Sequence, residues 1–363
     1  MRIYQIAYLA DASSIHTCRW AAHFAQRGYQ VHVVSFLPGE IPGATVHLLD
    51  AGPVRQEGGN WPYLLRWPAL RRLLRHLRPD LVHAHYLTSY GLLGALSGYR
   101  PLVLTAWGSD VLVTPRRSWL YRLLLRFTLA RADLVTSDAA AMSEEMIRLG
   151  LPAERLLTIP LGVDRTLFNA AGRDWPAEGR RLISTRQLLP NTNLDTLLAA
   201  LALARHERPG LTLDIVGDGP ERGRWGELAR QLQVEDCLRW HGSLDHGQIP
   251  AHLRQADLYL ALTLSDSTSV SLLEAMACGL FPIVSDLPAN REWITPGVNG
   301  FLVPPTDVRA AAEAILSAAA DPIFRRRAAE QNIALIAHRA DWQKNMDQVE
   351  AAYRALMGRD LAR

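Results

Sequence analysis

Short apolar, β-branched runs alternate with amphipathic stretches along the whole chain, and this alternation limits the fold more than any single motif. A parallel strand is buried on both faces and reads as a continuous apolar run, while the helix that returns the chain reads with a 3.6-residue period. Strands are predicted at 2–10, 30–37, 45–50, 81–86, 101–108, 134–138 and 156–161, with helices near 16–28, 64–77, 89–97, 118–131 and 139–149. A second set follows, with strands at 181–187, 211–216, 238–242, 258–264, 281–285 and 300–303. Helices are predicted between them near 194–207, 221–233, 247–255, 270–278, 307–319 and 322–338, and a last one at 341–357 after a capping Asp341. The pattern is that of two α/β domains with parallel sheets. The segment 162–180, with Gly162, Gly172, Pro176 and Gly179, is the predicted linker.

A chain of 363 residues is longer than one hydrophobic core usually supports, which agrees with two domains. The three cysteines, Cys18, Cys237 and Cys278, are far apart and form no C-x-x-C pair, so buried thiols are expected rather than a disulfide framework or zinc site. No apolar run is long enough to span a bilayer, and the start reads as a strand and loop rather than a signal peptide. A cytoplasmic protein is expected. Lys344 is the only lysine, so a phosphate grip must come from arginine, backbone N–H groups or helix N-termini. No G-K-[ST] exists, which excludes a P-loop, and no Asp-x-Asp offers a metal-held diphosphate. The mild net charge of +3 and the lack of any binding motif argue against nucleic acid.

In open parallel sheets, ligands bind beyond the carboxyl ends of strands. The segment 264–303, LSDSTSVSLLEAMACGLFPIVSDLPANREWITPGVNGFLV, places a polar loop between such a strand end and a helix starting near Val270. Ser267, Thr268, Ser269 and Val270 therefore present hydroxyls and free N–H groups at a helix N-terminus, which suits a diphosphate. Asp266 and Glu274 flank that turn, eight residues apart, and both can accept hydrogen bonds from sugar hydroxyls.

This block resembles the signature of the retaining glycosyltransferases of family four, which have the GT-B fold. Glu274 in LLEAMACGLFPIV matches the second acid of the family's Glu-x7-Glu, and Asp266 stands at the first. RLISTRQLLPNTNLD at 181–195, DIVGDGPE at 214–221, RWHGSL at 239–244, SIHTCRWAAHFAQRGYQVHVVSF at 14–36 and VLTAWGSDV at 103–111 are similar to other family segments. The resemblance implies two Rossmann-like domains facing across a cleft. An acceptor domain would occupy 1–165, a nucleotide-sugar domain 166–340, and a helix in 341–363 would cross back to the first domain.

It implies further that Glu274 holds the donor ribose, Asp266 the transferring sugar, and Arg186 the phosphates. The lysine that follows this arginine in the family is missing, and Asn191 or Asn193 lies there instead. Gly242 and its neighbours would pass close to the nucleotide base, while Gly217 and Gly219 read as letting their loop turn close to the nucleotide. In the first domain, His16 would orient the acceptor or touch the donor phosphate, and Asp110 would contact sugar or acceptor. His85, near a strand end, would face the cleft, while His83 two residues before it reads as a core histidine. Trp107 stands where many relatives have a histidine.

The implied reaction is metal-independent transfer of a sugar, with retention, from a nucleotide diphosphate sugar to a glycan or lipid-linked acceptor. The donor enters as a substrate, and no cofactor is expected. Arg66, Arg71, Arg72, Arg75 and Arg78 crowd one leucine-rich stretch, and Arg116, Arg117, Arg122 and Arg126 another, with Trp61, Trp67 and Trp119 nearby. They read either as solvated helix faces or as a peripheral contact with an anionic membrane. Two rival readings share the architecture: a sugar-nucleotide epimerase, and a non-catalytic nucleotide-sugar-binding subunit.

Overall fold

The computed structural model describes residues 3–49, 61–175 and 178–360. Residue 2 of the predicted first strand, residue 50 of the third, Pro176 of the predicted linker, the side chain of Trp61 and the last three residues lie outside them. The chain divides into two compact units, Met1–Ile159 with Asp347–Arg363, and Pro160–Met346.

The first unit is built on seven strands: β1 (Gln5–Leu9), β2 (Gln30–Ser35), β3 (Ala44–Leu48), β4 (Leu81–His85), β5 (Leu102–Thr105), β6 (Leu134–Ser137) and β7 (Leu156–Thr158). All pair in parallel in the order β3-β2-β1-β4-β5-β6-β7. The second unit carries β8 (Arg181–Thr185), β9 (Thr212–Val216), β10 (Leu238–Gly242), β11 (Leu258–Ala261), β12 (Phe281–Ser285) and β13 (Phe301–Val303). Its order is β10-β9-β8-β11-β12-β13, again all parallel. Each sheet is therefore doubly wound and reverses direction once, between β1 and β4 in the first unit and between β8 and β11 in the second. Crevices at such reversals are where this architecture binds ligands.

The central strands are buried on both faces, as their apolar sequences require. Leu9, Ala84, Leu104 and Val135 lie in the first core, and Leu182, Leu213, Leu260 and Ile283 in the second. The helix Trp342–Asp360 is capped by Asp341, whose carboxylate accepts the N–H groups of Gln343 and Lys344 at 3.0 and 3.2 Å. From Asp347 onward it belongs to the first unit. There Tyr353 is buried, stacks on Phe24 and hydrogen-bonds His83, while Glu350 accepts from Arg27 and Tyr29. These contacts make the end of the chain part of the first core. Among the described residues no helix is long and apolar enough to cross a membrane.

Candidate functional site

The second unit collects the predicted donor residues at the β8/β11 reversal. Arg186 follows the last residue of β8, and the loop after β11 runs through Asp266 into the helix Val270–Ala277. One Arg186 terminal nitrogen lies 2.8 Å from the Asp266 carboxylate. The other donates to Ser269 Oγ at 2.9 Å and Ser271 Oγ at 3.3 Å. Ser269 is the helix cap and accepts the N–H of Leu272 at 3.4 Å. The N–H groups of Val270 and Ser271 have no acceptor within the helix, because its first turn has none to offer. One arginine thus joins the first predicted acid to the helix N-terminus. Burial raises the pKa of Asp266 from its usual value, and the Arg186 charge works against that rise.

Glu274 sits one turn into the same helix, only 5% exposed. One of its carboxylate oxygens meets His246 Nε2 at 2.7 Å, and the His246 ring packs against Phe168. Sequence reading missed His246. It lies in the turn after β10, 28 residues before Glu274, and no spacing rule links the two.

The neighbouring loops explain the glycines. A Cβ on Gly217, whose φ is +139°, would fall 2.1 Å from the carbonyl oxygen of Arg186, and Gly217 N–H donates to Gly242 O at 2.8 Å. Gly242 has φ of +68° at the frayed end of β10. These two glycines let the ends of β9 and β10 close over the segment that presents Arg186. That packing accounts for Gly217, whereas a Cβ on Gly242 would meet nothing within 4 Å and only its positive φ favours glycine there.

Two predicted ligands are corrected. Asn193 is buried with φ of +54°; its amide nitrogen donates to Leu262 O and Pro305 O, and its oxygen accepts from Thr196. Its amide N–H groups are committed to the unit's own carbonyls, so it does not replace the missing lysine. Asn191 is likewise committed, clamping Ser265 through both ends of its amide. Asp110 is fully buried, and its carboxylate accepts the N–H groups of Leu87 at 2.8 Å and Trp107 at 3.0 Å. It ties the loop after β4 to the loop after β5 and offers no surface to a sugar. Burial raises its pKa to about 6.

In the first unit, His16 follows β1 and stacks on Trp107 with ring centroids 4.8 Å apart. Its Nδ1 is buried without a partner among the described residues, and burial, aided by the nearby Arg19 charge, lowers its pKa to about 4. His85, at the end of β4, is only 3% exposed and enclosed by Trp20, Trp107 and Tyr8. Neither of its ring nitrogens has a partner among the described residues. The expectation that His85 is open to a ligand is therefore corrected: aromatic rings shut it in. His83 is a satisfied core histidine, with Thr105 on Nε2 and Tyr353 on Nδ1.

The basic stretches differ from each other. Along Trp67–Leu77, Leu70 and Leu74 face the core and the arginines face water, as in any amphipathic surface helix. Along Trp119–Arg131 the apolar residues Trp119 (74% exposed), Leu120 and Leu123 face outward beside Arg116, Arg122 and Arg126. Among the described residues no three His, Cys, Asp or Glu side chains stand close enough to hold a metal ion.

The sequence matches two family models, "Glycosyl transferase 4-like" over residues 5–139 and "Glycosyl transferases group 1" over residues 169–334. Glycogen synthase of Mycobacterium tuberculosis is 28% identical over 285 residues, 74% of this chain and 67% of the relative. The phosphatidyl-myo-inositol mannosyltransferase of the same organism is 32% identical over 211 residues, 55% of this chain and 54% of the relative. Among solved structures, sucrose-phosphate synthase from Thermosynechococcus elongatus superposes with a TM-score of 0.82 at 20% identity, covering 98% of this chain and 99% of that one. Anabaena HepE in complex with UDP gives 0.81 at 20% identity, covering 98% and 100%. These likenesses establish the GT-B fold and favour neither the epimerase nor the non-catalytic reading.

Proposed function

The chain belongs to the glycosyl transferases group 1 family and is a glycosyltransferase, and we propose that it works with retention and without a metal ion. In this reading a nucleotide diphosphate sugar gives its sugar to a glycan or lipid-linked acceptor. The observation that carries the reading is the Arg186 fork, bridging Asp266 and the Ser269 cap at the β8/β11 reversal. An incoming diphosphate finds there a guanidinium, two hydroxyls and free helix N–H groups. As the phosphate takes over Arg186, Asp266 is released to accept a hydroxyl of the transferring sugar, and Glu274 accepts from the ribose. The bond between the anomeric carbon and the phosphate oxygen breaks as the acceptor oxygen bonds to that carbon from the same face. The departing phosphate oxygen takes the acceptor proton, and its growing charge is met by Arg186 and the helix N-terminus.

The test is turnover by purified protein with a panel of nucleotide sugars, uridine donors first because HepE binds UDP. We expect α-configured product from an α-configured donor and equal rates with and without EDTA. Inverted product, or activity that EDTA removes and a divalent ion restores, refutes the corresponding part of the reading.

The outward-facing Trp119, Leu120 and Leu123 beside arginines favour a lipid-linked acceptor met at an anionic surface. In flotation the protein is expected to rise with vesicles containing phosphatidylglycerol and not with phosphatidylcholine alone. Replacing Arg122 and Arg126 by alanine should weaken that binding about thirtyfold, at about 1 kcal/mol per charge. Equal flotation with both vesicle types removes the anionic surface from the proposal, and none with either removes the membrane.

A further inference from the structure

A cavity of about 350 Å³ opens in the second unit at the amino ends of β11 and β12, whereas Arg186 and Asp266 lie beyond the carboxyl ends of β8 and β11. Four arginines line it, Arg173, Arg325, Arg326 and Arg327, against two carboxylates, Asp257 and Glu330. Both carboxylates are already engaged. Asp257 accepts the backbone N–H groups of Arg180 and Arg181 at 2.9 and 2.8 Å, and Glu330 pairs with Arg326 at 3.4 Å.

Arg173 is the unusual member of the group. It is only 9% exposed, one terminal nitrogen donates to the carbonyls of Leu253 and Arg254, and its buried Nε has no acceptor among the described residues. Removed from water, this guanidinium hydrogen-bonds only neutral carbonyls; Asp257 is the nearby negative charge, and the buried Nε is left without an acceptor among the described residues. Its pKa falls to about 10, chiefly through burial. The guanidinium groups of Arg173 and Arg326 lie 5.0 and 5.8 Å from the centroid of the Trp175 ring, which also lines the cavity together with Ile323. The first turn of the helix Pro322–Arg339 completes the wall, and its dipole favours a negative ligand. None of these side chains serves the proposed donor site.

We propose that this cavity binds a compact phosphorylated molecule, with the phosphate on the arginines and the organic part against Trp175 and Ile323. The volume falls at the lower end of small-ligand sites, about 300–1,000 Å³. Planar guanidinium forks match phosphate oxygens better than any other side chain.

Calorimetry on the full chain with phenyl phosphate and inorganic phosphate as probes tests this. Phenyl phosphate is expected to bind more tightly than inorganic phosphate, and Trp175→Ala is expected to abolish the difference. Arg326→Ala with Arg327→Ala, both at exposed positions, should weaken phenyl phosphate about tenfold or more, while Arg186→Ala leaves it unchanged. The proposal fails if the probe does not bind at about 10 mM, if the double variant binds it like the wild type, or if Arg186→Ala alone removes it. The donor-site reading stands or falls separately, on turnover by Glu274 variants.

Discussion

Glu274→Gln is expected to lower kcat/KM by about one to two orders of magnitude while leaving the fold intact, and Glu274→Ala by more. Glutamine keeps the shape of a side chain that is almost wholly enclosed, so packing is preserved and the melting temperature should move by only a few degrees. What is lost is the negative acceptor. A hydrogen bond to a charged group contributes about 1.5–3 kcal/mol, and the amide N–H would point at a ribose hydroxyl or at His246. The proposed role is uniform binding of the donor, so the loss should appear mainly as a higher donor KM. His246→Ala gives a graded control. It removes the partner that fixes the carboxylate at 2.7 Å and is expected to cost about tenfold, as other orienting residues do. Near-normal turnover by Glu274→Gln would remove Glu274 from the site. An equal loss in both variants would point to disturbed loop packing instead.

Much of this arrangement can be read from the chain because parallel strands leave so plain a trace. All thirteen strands lie where continuous apolar runs predict them, and the helix Leu194–Glu207 has the predicted limits. What escaped were single turns such as Ser109–Leu112, Thr114–Arg117 and Pro288–Arg291, four residues each and too short to show a period. Asp266, Ser269 and Glu274 stood out from the polar loop and helix that follow β11, and Arg186 from the family resemblance. Asp110 and Asn193 sit at the same kind of place and turned inward. A polar residue in a loop looks the same in sequence whether its hydrogen bonds go to a ligand or to its own backbone. The difference lies in long-range approach, such as that of Leu262 and Pro305 to Asn193, which no local pattern encodes. His246 was missed for the same reason, as its partner comes from another element.

Lowering the pH from 7 to 5 is expected to cost the protein about 4 kcal/mol of stability, most of it from three enclosed histidines in the first unit. Burial lowers the pKa of His85 to about 3 and of His16 to about 4, and holds His83 well below the usual 6.5. An unfolded imidazole binds its proton near 6.5, so between that pH and the lowered values the unfolded chain carries protons that the folded one refuses. Stability is therefore complete above pH 6.5 and falls with acid, by about 1.4 kcal/mol per pH unit for each such histidine. Asp110 acts in the opposite sense. Its pKa is raised to about 6, so between 6 and the usual 3.8 the folded form binds a proton that the unfolded form releases, and acid there adds stability. One carboxyl against three imidazoles leaves about two sites' worth of loss per pH unit below 6, a large share of a typical 5–15 kcal/mol. Urea unfolding followed by tryptophan fluorescence at pH 7 and pH 5 measures the loss. His85→Phe isolates one contributor, since a ring among Trp20, Trp107 and Tyr8 is replaced by a ring and no hydrogen bond is broken. That variant should lose about half as much on acidification, since one of the two net sites is gone. If it loses as much as the wild type, or if stability is flat between the two pH values, the enclosed histidines are not what limits the fold in acid.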